Sequence, residues 1–361
     1  MKTLKNILLV TFPTIVFIFL VLELASMLFF PGAQSPKGGL WDEENKINKF
    51  SQEYGATGLF TIGNLSQQKA KWRINNEGWN SPVDYYSKKK EGVKRIAVIG
   101  DSYVEAFQVD IEKSFPYVLA DLMGEHYEAY SFGTSGAPLS QYLNIARYVE
   151  KVFSPEIYIF TLVHNDFDES VNGLAYKPMY LSIKVENNTF KEVQPVQLER
   201  TFKKIPLSSI LKKSSFMRFL YSNLKVKKIF IKNRKDEDKA EMNVLIEDVL
   251  RNRESIKLVA TYLLETIKSE LKGKEIIFIM DAPRWNIYKG ELEKARTTEL
   301  NAMAAELCNG LNLPFIDLTP YMLANFQING KRYETDYDGH WNEYGHEFVA
   351  NVLYKYLLNN K

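Results

Sequence analysis

The sequence predicts an α/β protein with a parallel sheet covered on both faces, preceded by one membrane-spanning helix. Three observations predict it. Short runs of β-branched and aromatic residues alternate with longer amphipathic runs from residue 93 to the end of the chain. Polar, Gly-containing turns close those short runs, as in Gly100-Asp101-Ser102. Ahead of them, residues 7–30 are almost wholly apolar, with Thr11, Thr14, Glu23 and Ser26 as the polar interruptions.

About twenty apolar residues suffice to span a bilayer as a helix. Lys2 and Lys5 precede the apolar stretch, and Asp42, Glu43 and Glu44 follow it. The positive-inside rule then puts the N-terminus in the cytoplasm and the remainder outside. A cleaved signal peptide is the alternative, but its apolar region is usually shorter, and no small-x-small site follows here. Glu23 is costly inside a span, though it lies near the outer end. The expected organisation is therefore a cytoplasmic tip and anchor over 1–30, a linker and irregular N-terminal wrap over 31–92, and one large domain over 93–361.

Strands are expected over 93–100 (VKRIAVIG), 127–133, 155–163 (PEIYIFTLV), 275–280 (EIIFIM) and 314–318. Helices are expected over 113–123, 140–152, 255–271, 292–311 and 343–358. Between the third and fourth strands lies an insertion, 167–253. Its middle, 201–235, is rich in Lys and Arg and holds no acid, with Ile205, Leu207, Ile210, Leu211, Phe216 and Leu220 interleaved. That pattern reads as a solvated helical cap, or as a basic amphipathic surface for anionic lipid or an acidic substrate.

Composition excludes some chemistry. The net charge of +2 gives no general argument for nucleic acid. Cys308 is the single cysteine, so no intrachain disulfide forms. With no CxxC and four histidines, neither a metal site nor a cofactor is expected.

The residues that carry chemistry sit where such a sheet exposes them, at the carboxyl ends of strands. Ser102 follows the first strand on a turn into a helix. At the far end stands Asp338-Gly339-His340-Trp341-Asn342, then Gly345-His346. A serine becomes a good nucleophile when a base takes its proton, and that base needs a carboxylate to hold its tautomer. Asp338 and His340 supply both from one segment. Gly339 between them allows unusual backbone angles, and Asp336 is the alternative acid. Donors for an oxyanion are the Ser102 N–H, Gly136 in the loop after the second strand, and Asn165 after the third. Each block alone also makes an ordinary loop or helix cap.

Together and in this order, the blocks resemble the SGNH (GDSL-like) hydrolase superfamily over residues 72–361. They are most similar to its single-pass, membrane-anchored bacterial members, through Arg73-Ile74-Asn75 with Gly78 and the DGHWN…GH ending. The resemblance implies a flavodoxin-like three-layer α/β/α sandwich. It implies Ser102 as nucleophile, His340 as base, and Ser102, Gly136 and Asn165 as oxyanion hole. Two positions depart from the family pattern. Tyr337 stands where many members place the acid, so Asp338 takes that role through a D-x-H variant. His164 and Val163 stand where many carry glycine, and His164 is expected in the pocket wall. His346 is expected to cap or pack the last helix, and His126 to lie on the surface. The expected function is extracytoplasmic hydrolysis of esters, with carbohydrate O-acetyl groups as the substrate class. An O-acyltransferase using the same triad, or a catalytically silent carbohydrate-binding protein, are the alternatives.

Overall fold

The computed structural model describes residues 7–51, 55–175, 177–187, 189–197, 212–224, 244 and 246–360. Five strands form the central sheet: β1 (Lys94–Gly100), β2 (Tyr127–Gly133), β3 (Ile157–Leu162), β4 (Glu275–Met280) and β5 (Phe315–Asp317). Their spatial order is β2-β1-β3-β4-β5 and all pairs are parallel. This is the flavodoxin-like order, whose switch point lies between β1 and β3. In register, Val98 sits between Ser131 and Ile159, and Ile279 pairs Ile316.

The strand runs are apolar because both faces are covered. Ala97, Ile99, Phe132, Phe160 and Phe278 pack under α3 (Leu139–Phe153), α4 (Arg253–Glu270) and α5 (Thr298–Gly310). Ile96, Val98, Ile159, Ile277 and Ile279 pack under α2 (Phe115–Met123), α6 (Leu318–Asn329) and α7 (Glu343–Asn359). Adjacent residues of β1 serve opposite layers, as the two-residue strand period requires. The sandwich is the fold class expected from sequence.

The preceding helix α1 (Phe12–Phe29) is long and apolar enough to cross a bilayer, and most of its side chains are exposed. Several elements differ from expectation. The 292–311 run is broken: Ala295 takes an extended backbone (ψ 100°), leaving a 3-10 turn, Leu292–Lys294, before α5 begins at Thr298. The helix α6 was not foreseen. Residues 31–92 are more regular than an irregular wrap, with antiparallel hairpins Leu40–Asp42/Ile47–Lys49 and Thr57–Ile62/Gln68–Arg73. The insertion is not wholly helical either. It holds the hairpin Ser182–Glu186/Thr189–Val193, and a short helix, Ser215–Arg218, that continues as a wider turn to Asn223. Most of the basic stretch 201–235 lies outside the described residues.

Candidate active site

The turn after β1 is built to expose Ser102. Asp101 caps the one-turn helix Ser102–Glu105, its carboxylate accepting from the Tyr103 N–H at 2.9 Å. Gly100 and Gly133 let strand ends and helix meet: a Cβ on Gly133 would collide with the Glu105 backbone. Ser102 is half-buried at this end of the sheet.

Asp338–Trp341 is a short strand paired with Glu334–Thr335. Thr335 pairs Asp338, so Asp336 and Tyr337 form the turn between them and point away. Asp336 is bound to Arg332 at 2.7 Å and its side chain is 79% exposed. Asp338 faces the other way. Its Oδ1 lies 2.5 Å from His340 Nδ1 and accepts from the His340 backbone N–H at 2.9 Å. His340 Nε2 lies 2.7 Å from Ser102 Oγ. The structure therefore joins Asp338, His340 and Ser102 in one hydrogen-bonded row, and leaves Asp336 out. Gly339 does not use its conformational freedom. Its φ is not positive, and a Cβ there would meet open space. Its carbonyl matters instead, accepting from Arg284 Nη2 at 2.6 Å and from the Tyr103 hydroxyl at 3.1 Å.

The charges in this row are set by burial and by each other. Burial disfavours the His340 imidazolium, but the Asp338 hydrogen bond and charge outweigh it, and the pKa is raised. Burial raises Asp101 and pushes Glu105 up to about 7, against the opposing hydrogen bond from Ser135.

Gly136 and Asn165 reach the same end of the sheet from β2 and β3, the two strands that flank β1. Gly136 has φ +73°, and Lys177 donates to its carbonyl at 3.2 Å. The loop carrying Asn165 is fixed by Asp166, which accepts from the Val163 N–H and the Tyr142 hydroxyl, both at 2.9 Å. Among the described residues neither the Gly136 N–H nor the Asn165 carboxamide donates a hydrogen bond. Of the other histidines, His164 is buried with Nε2 2.9 Å from Asn301 Oδ1. His346 is buried against Phe115, whose N–H donates to its Nδ1 at 3.2 Å, and burial takes its pKa down to about 3. His126 is exposed.

Sequence reasoning missed the support behind the row. Arg284, just past β4, is 2% exposed and pairs with Asp281 at 3.1 Å and with Glu334. It also donates to the Tyr103 hydroxyl at 2.7 Å. Trp341 donates from Nε1 to Asp281 at 3.0 Å. The signal was available in Asp281-Ala282-Pro283-Arg284, which follows a buried strand as the other blocks do. Chemically, the row can take a proton from Ser102 Oγ onto His340 Nε2, while Asp338 holds the ring and its cation. Among the described residues no His/Cys/Asp/Glu cluster suits a metal ion.

Residues 96–353 match the family model described as GDSL-like Lipase/Acylhydrolase. The chain belongs to that family and is an ester-hydrolysing enzyme. No protein of curated function matches it. Solved structures that align with it include an acetyl xylan esterase, AlAXEase, at 12% identity and TM-score 0.42, covering 72% of this chain and 98% of that one. The native aryl esterase of M. smegmatis aligns at 15% identity and TM-score 0.35, over 74% and 99% of the two chains. A carbohydrate acetylesterase family member from Sinorhizobium meliloti aligns at 13% and 0.35, over 73% and 97%. The family assignment rests on the match over 96–353.

Proposed function

We propose that this chain is a membrane-anchored, extracytoplasmic serine esterase that removes short acyl groups, O-acetyl foremost, from carbohydrate. The observation that carries the mechanism is the row Ser102 Oγ–His340 Nε2 at 2.7 Å and His340 Nδ1–Asp338 Oδ1 at 2.5 Å. Ser102 Oγ attacks the ester carbonyl as its proton passes to His340 Nε2. The Ser102 and Gly136 N–H groups and the Asn165 amide stabilise the oxyanion. The intermediate collapses, breaking the C–O bond to the alcohol, which leaves with the proton from His340. Water, deprotonated by His340, then attacks the acyl-serine, releasing the acid and restoring Ser102.

The side chains that flank the oxyanion donors support a hydroxyl-rich substrate. Thr134, Ser135 and Lys177 surround Gly136, and all are polar and at least partly exposed. Support for the anchor is α1 with Lys2 and Lys5 before it. In domain terms, residues 1–30 are tip and anchor, 31–92 linker and wrap, and 93–361 the hydrolase domain with its 167–253 insertion.

The test is incubation of the full-length chain in detergent with an activated acetyl ester, then with an acetylated oligosaccharide, with and without an unacetylated sugar acceptor. Release of acetate from both esters is expected. Acetate release only when no acceptor is present, with acyl transfer to the sugar otherwise, would assign the O-acyltransferase reading instead. No turnover of either ester would favour the silent binding protein.

A further inference from the structure

The loops that carry Gly136 and Asn165 follow different strands, and one segment of the insertion ties them together. The Ala137 N–H donates to the Thr134 carbonyl at 3.0 Å, closing a turn with Ser135 and Gly136 at its centre. Gly136 has φ +73°, the sign that the third residue of a type II turn requires. Type I and type II turns differ by a flip of the central peptide, here the Ser135–Gly136 amide. That amide contains the Gly136 N–H, so the flip decides where this donor points.

The Ser135 carbonyl is held in place. The Tyr180 hydroxyl donates to it at 2.7 Å. Across a trans peptide the C=O and the N–H point in opposite directions. A bond to the carbonyl therefore fixes the aim of the N–H, and polarises it in the same sense. Tyr180 is 6% exposed. Burial, with Glu105, Glu169 and Asp101 nearby, raises its pKa, so the hydroxyl keeps its proton and donates. The next peptide is held too, because Lys177 donates to the Gly136 carbonyl at 3.2 Å. Lys177 and Tyr180 are the two ends of one turn. The Tyr180 N–H donates to the Lys177 carbonyl at 3.0 Å, with Pro178 at the second position, where its fixed φ suits a turn.

The same segment is fastened to the Asn165 loop. Lys177 Nζ lies 2.6 Å from the Glu169 carboxylate, and the Glu169 N–H donates to the Asn165 carbonyl at 3.3 Å. The Ile183 N–H donates to the Ser170 carbonyl at 2.8 Å, and Ser170 Oγ to the Asp166 carbonyl at 2.6 Å. Leu181 secures the segment against the start of α3. Its N–H donates to Gln141 Oε1 at 2.8 Å, and its carbonyl accepts from Ser140 Oγ at 2.5 Å.

We propose that Tyr180 is a positioning residue for ester hydrolysis. Its hydroxyl selects the orientation of the Ser135–Gly136 peptide that aims the Gly136 N–H at the oxyanion. Lys177 holds the following peptide and joins that loop to the one bearing Asn165. Both side chains act through the backbone. Their effect falls on the transition state, where the ester oxygen carries charge, and not on substrate binding. This rests on the serine-esterase reading above, and the test separates the two.

Steady-state kcat and KM for a soluble activated acetyl ester are measured on the full-length chain in detergent, for wild type, Tyr180→Phe, Lys177→Met and Lys177→Arg. Inhibition by a simple alkylboronic acid is measured alongside, because its serine adduct places an oxygen in the oxyanion position. Tyr180→Phe keeps the ring and its packing. Removing an oxyanion donor outright costs about a hundredfold to a thousandfold in kcat. Misaiming one should cost roughly tenfold or more. KM should change by less than about twofold, and boronic-acid affinity should fall with kcat. Lys177→Met should lower kcat by roughly threefold, and Lys177→Arg should restore it. A lower denaturant midpoint with unchanged kcat and boronic-acid affinity in folded Tyr180→Phe would confine Tyr180 to packing and overturn the proposal. Should Tyr180→Phe not fold, Lys177→Met decides alone, and a kcat equal to wild type would overturn the proposal. No ester turnover by the wild type would overturn the esterase reading and the proposal together.

Discussion

Asp338 Oδ1 receives two N–H groups of one residue, the His340 backbone N–H at 2.9 Å and the ring Nδ1 at 2.5 Å. The double contact fixes both the position of His340 and the tautomer that leaves Nε2 as the acceptor towards Ser102. Asp338→Asn should preserve the backbone contact but remove the charge and favour the wrong tautomer. Turnover is expected to fall by up to about ten-thousandfold, the scale found for such a change in serine proteases. Asp336→Asn should leave turnover near wild type, since Asp336 is exposed and bound to Arg332. Steady-state kcat for both variants checks this; a larger loss at Asp336 would exchange their roles.

The acid limb of the pH–rate profile reports the base. His340 accepts a proton when neutral, so kcat/KM falls tenfold per unit below its pKa. Its pKa is raised by Asp338 above the ordinary 6.5, so the limb should lie above that value. Asp338→Asn removes the two largest raising interactions and leaves burial opposed by the smaller effect of Asp101, so the limb should move to lower pH. A limb below 6.5 in the wild type would contradict this electrostatic reading.

Arg284 is buried between Asp281 and Glu334 while its Nη2 holds the Gly339 carbonyl. Removing one partner of a buried ionic cluster strands the others, at a cost of about 3–5 kcal/mol. Arg284→Gln should lower stability by that order in denaturant titration and also lower kcat, because the strand bearing Asp338 and His340 loses its support. Unchanged kcat in the folded variant would confine Arg284 to a structural role.

Glu105 gives a pH-dependent stability of defined sign. Its folded pKa, about 7, lies above the ordinary 4.5. The folded state therefore holds a proton that the unfolded state has lost, and stability falls as pH rises from 4.5 to 7. At about 1.4 kcal/mol per pKa unit, the whole difference is on the order of 3 kcal/mol. Glu105→Gln should flatten that part of the stability profile, measured by denaturant midpoints at pH 5 and pH 7.5. An equally steep fall in the variant would assign it to other buried carboxyls, such as Asp166.

The sheet was legible because its strands are buried on both faces and carry unbroken apolar runs, as in Ile96-Ala97-Val98-Ile99. The blocks at the strand ends were legible because their residue types are unusual there. What was not legible depends on partners distant in sequence. Glu23 reads as a flaw in an apolar helix until Ser214 and Ser215, nearly two hundred residues later, are beside it. Arg284 shows in the sequence only its place just past a buried strand, and its role emerges when Glu334 and Gly339 close over it. The hairpins of residues 31–92 have strands of three to six residues with mixed polar faces, too short for a period to stand out. Gly339 was read for its backbone freedom, whereas the structure uses its carbonyl.

The central claim is that Ser102 forms the acyl-enzyme, and covalent trapping tests it most directly. The full-length chain is treated with a fluorophosphonate, digested, and analysed by mass spectrometry alongside Ser102→Ala. The account predicts one phosphonylated site, Ser102, no adduct in Ser102→Ala, and a folded variant whose esterase activity falls by several orders of magnitude, to about the level that oxyanion donors and binding alone sustain. Near-wild-type turnover in a folded Ser102→Ala protein, or an inactivating adduct on another residue, would contradict it.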